Sequence, residues 1–307
     1  MRQVMFGLLA SLVLATSALA DCEPLTLAAS LPATRDAAGG VVVPASFDGH
    51  DIKLLIDTAG IFSLMSDATV TQFNLERRAL PATIFVGASG NRLNESVAVH
   101  QFRLGNLVAN RMEFVVMPAK MVAKGVDGTL GPTVMSSYDM EIDPLHGKVN
   151  LFSKHHCTGE VVYWTDAPHA EIPMRVDAAL HIIIPVTLDG KTMNAVVDTG
   201  SSTSWMDYDD AARIFDWSDA GPPGLAHLGG ESSDWWAYPF AALSLNGVDV
   251  RNPQILLKKH STILAGGPPL IIGMDVLGKL HTFFSYADKT LYITAPDAPP
   301  PDAPPGH

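Results

Sequence analysis

The chain contains nearly the same segment twice. Val43-Pro44-Ala45-Ser46-Phe47-Asp48-Gly49-His50 runs on to Leu54-Leu55-Ile56-Asp57-Thr58. Ile184-Pro185-Val186-Thr187-Leu188-Asp189-Gly190-Lys191 runs on to Ala195-Val196-Val197-Asp198-Thr199. The two align without a gap at an offset of 141 residues. In each, an apolar strand delivers an Asp-Thr pair into a turn of small residues. A chain that repeats itself once folds as two like units, and their equivalent turns either face each other or face apart. If they face, two carboxylates share one proton and activate water without a metal or an organic cofactor.

The repeat extends beyond these turns. Thr83-Ile84-Phe85-Val86-Gly87-Ala88-Ser89-Gly90 and Ala226-His227-Leu228-Gly229-Gly230-Glu231-Ser232-Ser233 are both strands entering Gly-rich turns, now 142 residues apart. Alternating strands with turns follow at Phe102–Asn106 and Leu243–Gly247, then apolar runs at Phe114–Met117 and Ile255–Leu257. Each copy closes on an apolar run into Gly and a last strand. These are Thr129-Leu130-Gly131-Pro132 with Lys148–Phe152, and Leu270-Ile271-Ile272-Gly273 with Thr290–Ile293. Short β-branched runs punctuated by Gly, Asp-Gly and Asn-Gly indicate mostly β structure, with helix confined to pieces such as 208–215 and 276–280.

The ends lie outside the repeat. Arg2, the apolar stretch 5–15 and Ala18-Leu19-Ala20 form a signal-peptide pattern over residues 1–20 with cleavage before Asp21. Asp21, in place of a small residue, argues against lipidation of Cys22. The apolar stretch is too short for a confident membrane span, and no later run is long enough for one. Residues 296–307 are Pro-rich and form a polyproline-like or disordered tail. Between them we expect one lobe over 21–154, a linker over 155–170 and a second lobe over 171–295. The formal charge of −12 argues against nucleic acid and anionic membrane surfaces as partners. An exported chain with two cysteines suggests one disulfide, Cys22–Cys157. Two cysteines make no zinc site alone. The neighbouring His155-His156 reads as surface linker, because adjacent side chains on an extended segment diverge. No metal or cofactor is expected. Asn94-Glu95-Ser96 fits a glycosylation sequon, a frequent triplet.

This pattern resembles the retropepsin-like and pepsin-like aspartic peptidases, once per lobe over nearly the whole chain after residue 20. Asp198-Thr199-Gly200-Ser201-Ser202 matches the catalytic motif in full, and Leu270-Ile271-Ile272-Gly273 matches the strand that crosses behind it. The resemblance implies two tandem retropepsin-like β-barrel lobes in a pepsin-like bilobal arrangement around a central cleft. It implies Asp57 and Asp198 as catalytic residues, Thr58 and Thr199 bonding to the opposite loop, and Gly200 and Ser201 in support. It implies flaps over the cleft at Gly87, Ala88, Ser89 and Gly90 and at Gly229 and Gly230. Trp235 either lines a substrate pocket or packs on its lobe. Without that context, a turn Asp ending a strand is the ordinary reading of Asp57 or Asp198, and a plain hairpin that of each flap.

The first lobe departs from the pattern. Asp57-Thr58-Ala59-Gly60 has Ala where the family has Gly, and Gly where it has Ala or Ser. Ala59 is either tolerated with a small shift or distorts the dyad. Pro132 after Gly131 makes the first crossing strand a weaker match. In the family a hydroxyl at the place of Ser201 donates to the outer carboxylate oxygen. On that basis Asp198 is expected to be the charged member and Asp57 the protonated one.

The expectation is therefore a monomeric aspartic endopeptidase acting on peptide or protein in the bacterial periplasm or outside the cell. The alternatives are a peptide-binding protein without hydrolysis, or a peptidase that pairs two second lobes in a homodimer.

Overall fold

A computed structural model describes residues 22–81, 93–229, 233–259 and 267–294. The expected signal peptide, the Pro-rich tail, Gly87, Ala88, Ser89, Gly90 and Gly230 lie outside the described residues.

Each repeat builds the same sheet. In the first, strands Val41–Phe47 and His50–Ile56 form a hairpin whose Asp48-Gly49 turn takes positive φ at both residues, 48° and 82°. This geometry suits the twist of a two-residue hairpin. Strands Ile182–Leu188 and Lys191–Val197 repeat it around Asp189-Gly190, with φ of 44° and 79°. The second strand of each hairpin then pairs in parallel with the crossing strand. Leu54, Leu55 and Ile56 face Gly128, Thr129 and Leu130, and Ala195, Val196 and Val197 face Leu270, Ile271 and Ile272. Strands Leu64–Ser66 and Trp205–Asp207 continue the sheets from the other side of the crossing strand. The lobes carry sheets of eight and ten strands.

The lobes are joined by a third sheet. Its six strands run in the order Leu27–Pro32, Lys148–Phe152, Asp139–Asp143, His281–Ser285, Thr290–Thr294, Ala170–Pro173, three from each repeat. At its centre Met140 pairs with Phe284, Glu141 with Phe283 and Ile142 with Thr282. Glu141 and Phe283 are equivalent positions of the two repeats, so a local two-fold axis passes between them. One apolar core runs through both lobes and this sheet, with Phe47, Leu54, Ile56, Leu130, Leu188, Val197, Leu270 and Ile272 almost wholly buried.

The segment between the lobes lies over one face of the joining sheet. Val161, Val162 and Trp164 pack on Phe152, Phe283 and Tyr292. Cys157 is disulfide-bonded to Cys22, as expected, and its N–H bonds Glu23 O at 2.9 Å. The surface reading of His156 is overturned. Its side chain is completely enclosed and its Nε2 meets Asp139 Oδ2 at 2.6 Å. Asp139 comes from the joining sheet, so a polar anchor pulls the linker inward where composition alone suggested a loose strap.

Helices are short: Asp67–Gln72, Pro132–Met135, Tyr208–Ile214 and Met274–Leu277. Ser66 and Asp207 cap the first and third through backbone N–H groups. The last starts two residues before the sequence expectation. Pro132 is the first residue of its helix, where its missing N–H is no loss. The first crossing strand is therefore not weakened by it.

Candidate active site

Two strands ending side by side bring the Asp-Thr turns together. The N–H of Asp57 bonds Leu130 O at 3.0 Å, and that of Asp198 bonds Ile272 O at 2.9 Å. Each strand is thus pinned to its crossing strand one residue before the turn opens. Behind each turn the crossing strand passes with no room for a side chain. A Cβ on Gly131 would lie 2.6 Å from Phe62 O, and one on Gly273 would lie 2.7 Å from the Thr203 backbone. This close approach is why each apolar run ends in Gly.

The two turns interlock. Thr58 N–H donates to Thr199 Oγ1 and Thr199 N–H to Thr58 Oγ1, both at 3.1 Å. Each hydroxyl then donates across to the other lobe, Thr58 to Val197 O at 2.7 Å and Thr199 to Ile56 O at 2.8 Å. Both threonines are fully buried.

The carboxylates converge in front of this lattice. A methyl placed on Gly200 would lie 2.7 Å from Asp57 Oδ1 and 3.2 Å from Asp198 Oδ1. The two oxygens are therefore at most about 6 Å apart, close enough for strong coupling of their charges. Each carboxylate is held the same way. Asp57 Oδ1 accepts from Ala59 N at 3.1 Å and Gly60 N at 2.7 Å. Asp198 Oδ1 accepts from Gly200 N at 2.8 Å and Ser201 N at 3.1 Å. Ala59 thus leaves the turn intact. Its methyl packs against the second lobe's cluster of Ile183, Val196, Trp205 and Ile271. Gly200 has no such freedom, because Asp57 occupies the space.

Both carboxyls are crowded by protein while remaining partly open to solvent. Burial pushes Asp198 up to about 7, and the charge of Asp57 adds to the effect. Burial also raises Asp57, opposed by the Ala59 and Gly60 N–H groups and by the field of His181. Two neighbouring carboxyls that are both raised are able to share one proton.

The expected role of the Ser201 hydroxyl is not seen. Ser201 Oγ donates to Thr203 O at 2.8 Å, and only its N–H reaches Asp198. The nearby backbone carbonyl of its own loop captures the hydroxyl. The assignment of the charged member to Asp198 therefore loses its basis.

The sequence reading missed a further pair. Ser63 Oγ accepts from Gly131 N at 3.0 Å, and Ser204 Oγ accepts from Gly273 N at 2.9 Å. These buried hydroxyls fasten each loop to its crossing strand. Asp275 braces Ser204 alone, through its N–H at 2.8 Å and Oγ at 2.7 Å. The only signal was Ser at equivalent repeat positions, in stretches too rich in Ser to single it out.

In the second lobe, Ala226–Leu228 and Trp235–Ala237 form the expected hairpin, and Gly229 enters its turn at φ 80°. Trp235 lies edge-on to Trp205, with ring centroids 6.2 Å apart, and Lys258 Nζ stands 5.2 Å above its ring. It packs on the same cluster that receives Ala59, which places it beside the dyad loop. In the first lobe, Arg77–Ala79 pairs with the start of Glu95–Leu104, and the expected flap tip lies outside the described residues.

A bilobal β fold with two carboxylates converging across a local two-fold axis defines an aspartic-peptidase-like protein. The sequence profile of the aspartyl protease family matches residues 43–134 and 184–276, and the chain belongs to that family. No curated protein matches the sequence significantly. Among solved structures, an aspartic proteinase from Irpex lacteus is similar, with TM-score 0.56, 13% identity, and coverage of 88% of this chain and 97% of that one. Basic 7S globulin from soybean is similar too, with TM-score 0.52, 10% identity, and coverage of 89% and 96%. At such identities these neighbours establish the pepsin-like fold.

Proposed function

We propose that this chain is an exported aspartic endopeptidase in which Asp57 and Asp198 act as one dyad. The observation that carries the reading is the convergence of both carboxylates on the Gly200 position, each held by two equivalent N–H groups. The ionised member takes a proton from water, and the resulting hydroxide oxygen attacks the scissile carbonyl carbon. The protonated member donates to the carbonyl oxygen. The tetrahedral diol then collapses: the C–N bond breaks, the amine nitrogen takes a proton, and one carboxyl is again protonated. The Thr lattice holds the two loops together within one chain, which favours a monomer over a homodimer of second lobes. The substrate is an extended peptide lying across the dyad beneath the Trp235 hairpin. A disulfide between Cys22 and Cys157 suits an oxidising compartment such as the periplasm or the medium.

Incubation with a random peptide library, with and without a pepstatin-type inhibitor, tests this reading. Internal cleavage that the inhibitor blocks is the expected result. Retention of peptides without cleavage at any pH from about 3 to 7 would instead support the binding-protein alternative.

A further inference from the structure

Beside its Asp-Thr turn, each lobe presents a sheet face built from equivalent positions, and the two faces differ in charge. In the first lobe Leu64 pairs with Val115 and Thr129, and Ser66 pairs with Met117. In the second Trp205 pairs with Leu256 and Ile271, and Asp207 pairs with Lys258. Ser66 and Asp207 each cap the helix that follows, which fixes the equivalence. Lys258 therefore stands where the first lobe has Met117. Met117 is buried in an apolar cluster with Leu64, Leu93 and Val115. The second lobe puts an ammonium where its twin puts a buried thioether.

Register fixes which way Lys258 points. Leu256 and Lys258 lie two residues apart on one strand and share a face, while Leu257 between them turns into the core. Leu256 belongs to the cluster of Ile183, Val196, Trp205 and Ile271, against which Ala59 of the Asp57 loop packs. Trp235 pairs directly with Lys258 across its ladder, and Lys258 Nζ stands 5.2 Å from the ring centre. Both side chains are half-buried. Asp207, the carboxylate opposite Lys258, is engaged in capping: its Oδ1 accepts from Asp209 N at 2.9 Å and Asp210 N at 3.1 Å. Among the described residues Lys258 makes no ion pair, in a chain whose formal charge is −12. Its neighbour Lys259 lies on the other side of the hairpin, with Nζ 4.5 Å from the Tyr208 ring and 5.6 Å from the Trp236 ring.

We propose that this second-lobe wall is a subsite for a carboxylate-bearing side chain of the bound peptide. The Lys258 ammonium donates to the carboxylate, and the Trp235 ring covers the methylene stem. Its place beside the scissile bond rests on the peptidase reading. A peptide laid over a half-covered ammonium strips water from it, which is costly unless the peptide brings an anion. The same cation repels Lys or Arg at that position, so the wall selects more than it tightens. The first-lobe wall, with Met117 in place of the ammonium, has no such preference to offer.

Hexapeptide libraries test this, each with one position in turn fixed as Glu, Gln or Lys. The peptides are amidated at the C-terminus, so that only side-chain carboxylates count, and the pH is about 5.5, where Glu is ionised. One readout is internal cleavage by the wild-type protein. The other is retention on immobilised Asp198→Asn protein, which needs no turnover. At one position, Glu should be retained about three- to tenfold better than Gln, with Lys last. Lys258→Met, which copies the first lobe, should bring the Glu-to-Gln ratio to about one. Lys258→Glu should invert the order of Glu and Lys, and Lys259→Met should leave the wild-type ratio in place. Retention decides the subsite and cleavage decides the peptidase reading, so each can fail alone. Retention without a Glu preference, no retention of any peptide, or a preference that Lys258→Met leaves unchanged would overturn the subsite.

Discussion

Thr58 and Thr199 exchange hydrogen bonds reciprocally, each N–H to the other's hydroxyl and each hydroxyl to a carbonyl of the opposite lobe. The lobes are therefore locked together directly behind the carboxylates, not only at the joining sheet. Replacing Thr58 or Thr199 by Val keeps the shape but removes a donor and an acceptor, leaving a buried N–H and a carbonyl unpaired. Each variant should lose about 1–3 kcal/mol of stability. The double variant should lose less than the sum, because both groups belong to one lattice. Thr→Ser at either position should retain most of the stability. Chemical denaturation of the five variants checks this.

The raised carboxyls make the dyad a burden on stability near neutral pH. An acid whose folded pKa exceeds its unfolded value binds more protons in the folded state. Stability from that group is therefore present in acid and falls as the pH rises from about 4 to about 7, the value to which Asp198 is pushed. Asp198→Asn should thus raise the melting temperature at pH 7 by a few degrees and change it little at pH 4. Thermal melts of wild type and variant across this window give the answer. Equal gains at both pH values would contradict the raised pKa.

His156 behaves in the opposite way. Burial alone would lower it, but the Cys157 carbonyl and Asp139 outweigh burial and leave its pKa raised. Its contribution is fully present below the unfolded value of about 6.5 and is lost as the pH rises through the folded one. The linker anchor should therefore weaken at mildly alkaline pH. His156→Gln should remove that part of the pH dependence, and His156→Ala should cost about 3 kcal/mol by stranding buried Asp139. Hydrogen exchange of the 153–168 segment at pH 6 and pH 8.5 reports the loosening.

The Cys22–Cys157 bridge closes a loop spanning 135 positions. In the entropic account such a bridge is worth about 5 kcal/mol. Cys22→Ser with Cys157→Ser should lower stability by about that amount in oxidising buffer. Added reductant should lower the wild type toward the double variant and leave the variant unchanged.

Much of this architecture is legible in the repeat. The Asp-Gly hairpin turns and the crossing strands ending at Gly131 and Gly273 follow from local patterns doubled at a fixed offset, whereas the facing of the two Asp-Thr loops is implied only by the family resemblance. The pairing of Asp139–Asp143 with His281–Ser285 is not legible in this way. Aligning the copies shows that these strands are equivalent, and equivalence carries no information about contact. The burial of His156 is set by a partner on another strand, and its neighbours in sequence give no sign of it. The direction of the Ser201 hydroxyl depends on a competing carbonyl two residues on, which motif matching does not weigh.

The central claim is that both carboxylates serve one reaction. The most direct measurement is the turnover of Asp57→Asn, compared with wild type on a single peptide that wild type cleaves, at the pH of maximal rate. The account predicts a loss of at least about a thousand-fold, equal within error to that of Asp198→Asn. An Asp57→Asn protein that keeps more than about a tenth of wild-type turnover would contradict it and leave the first lobe without a chemical role.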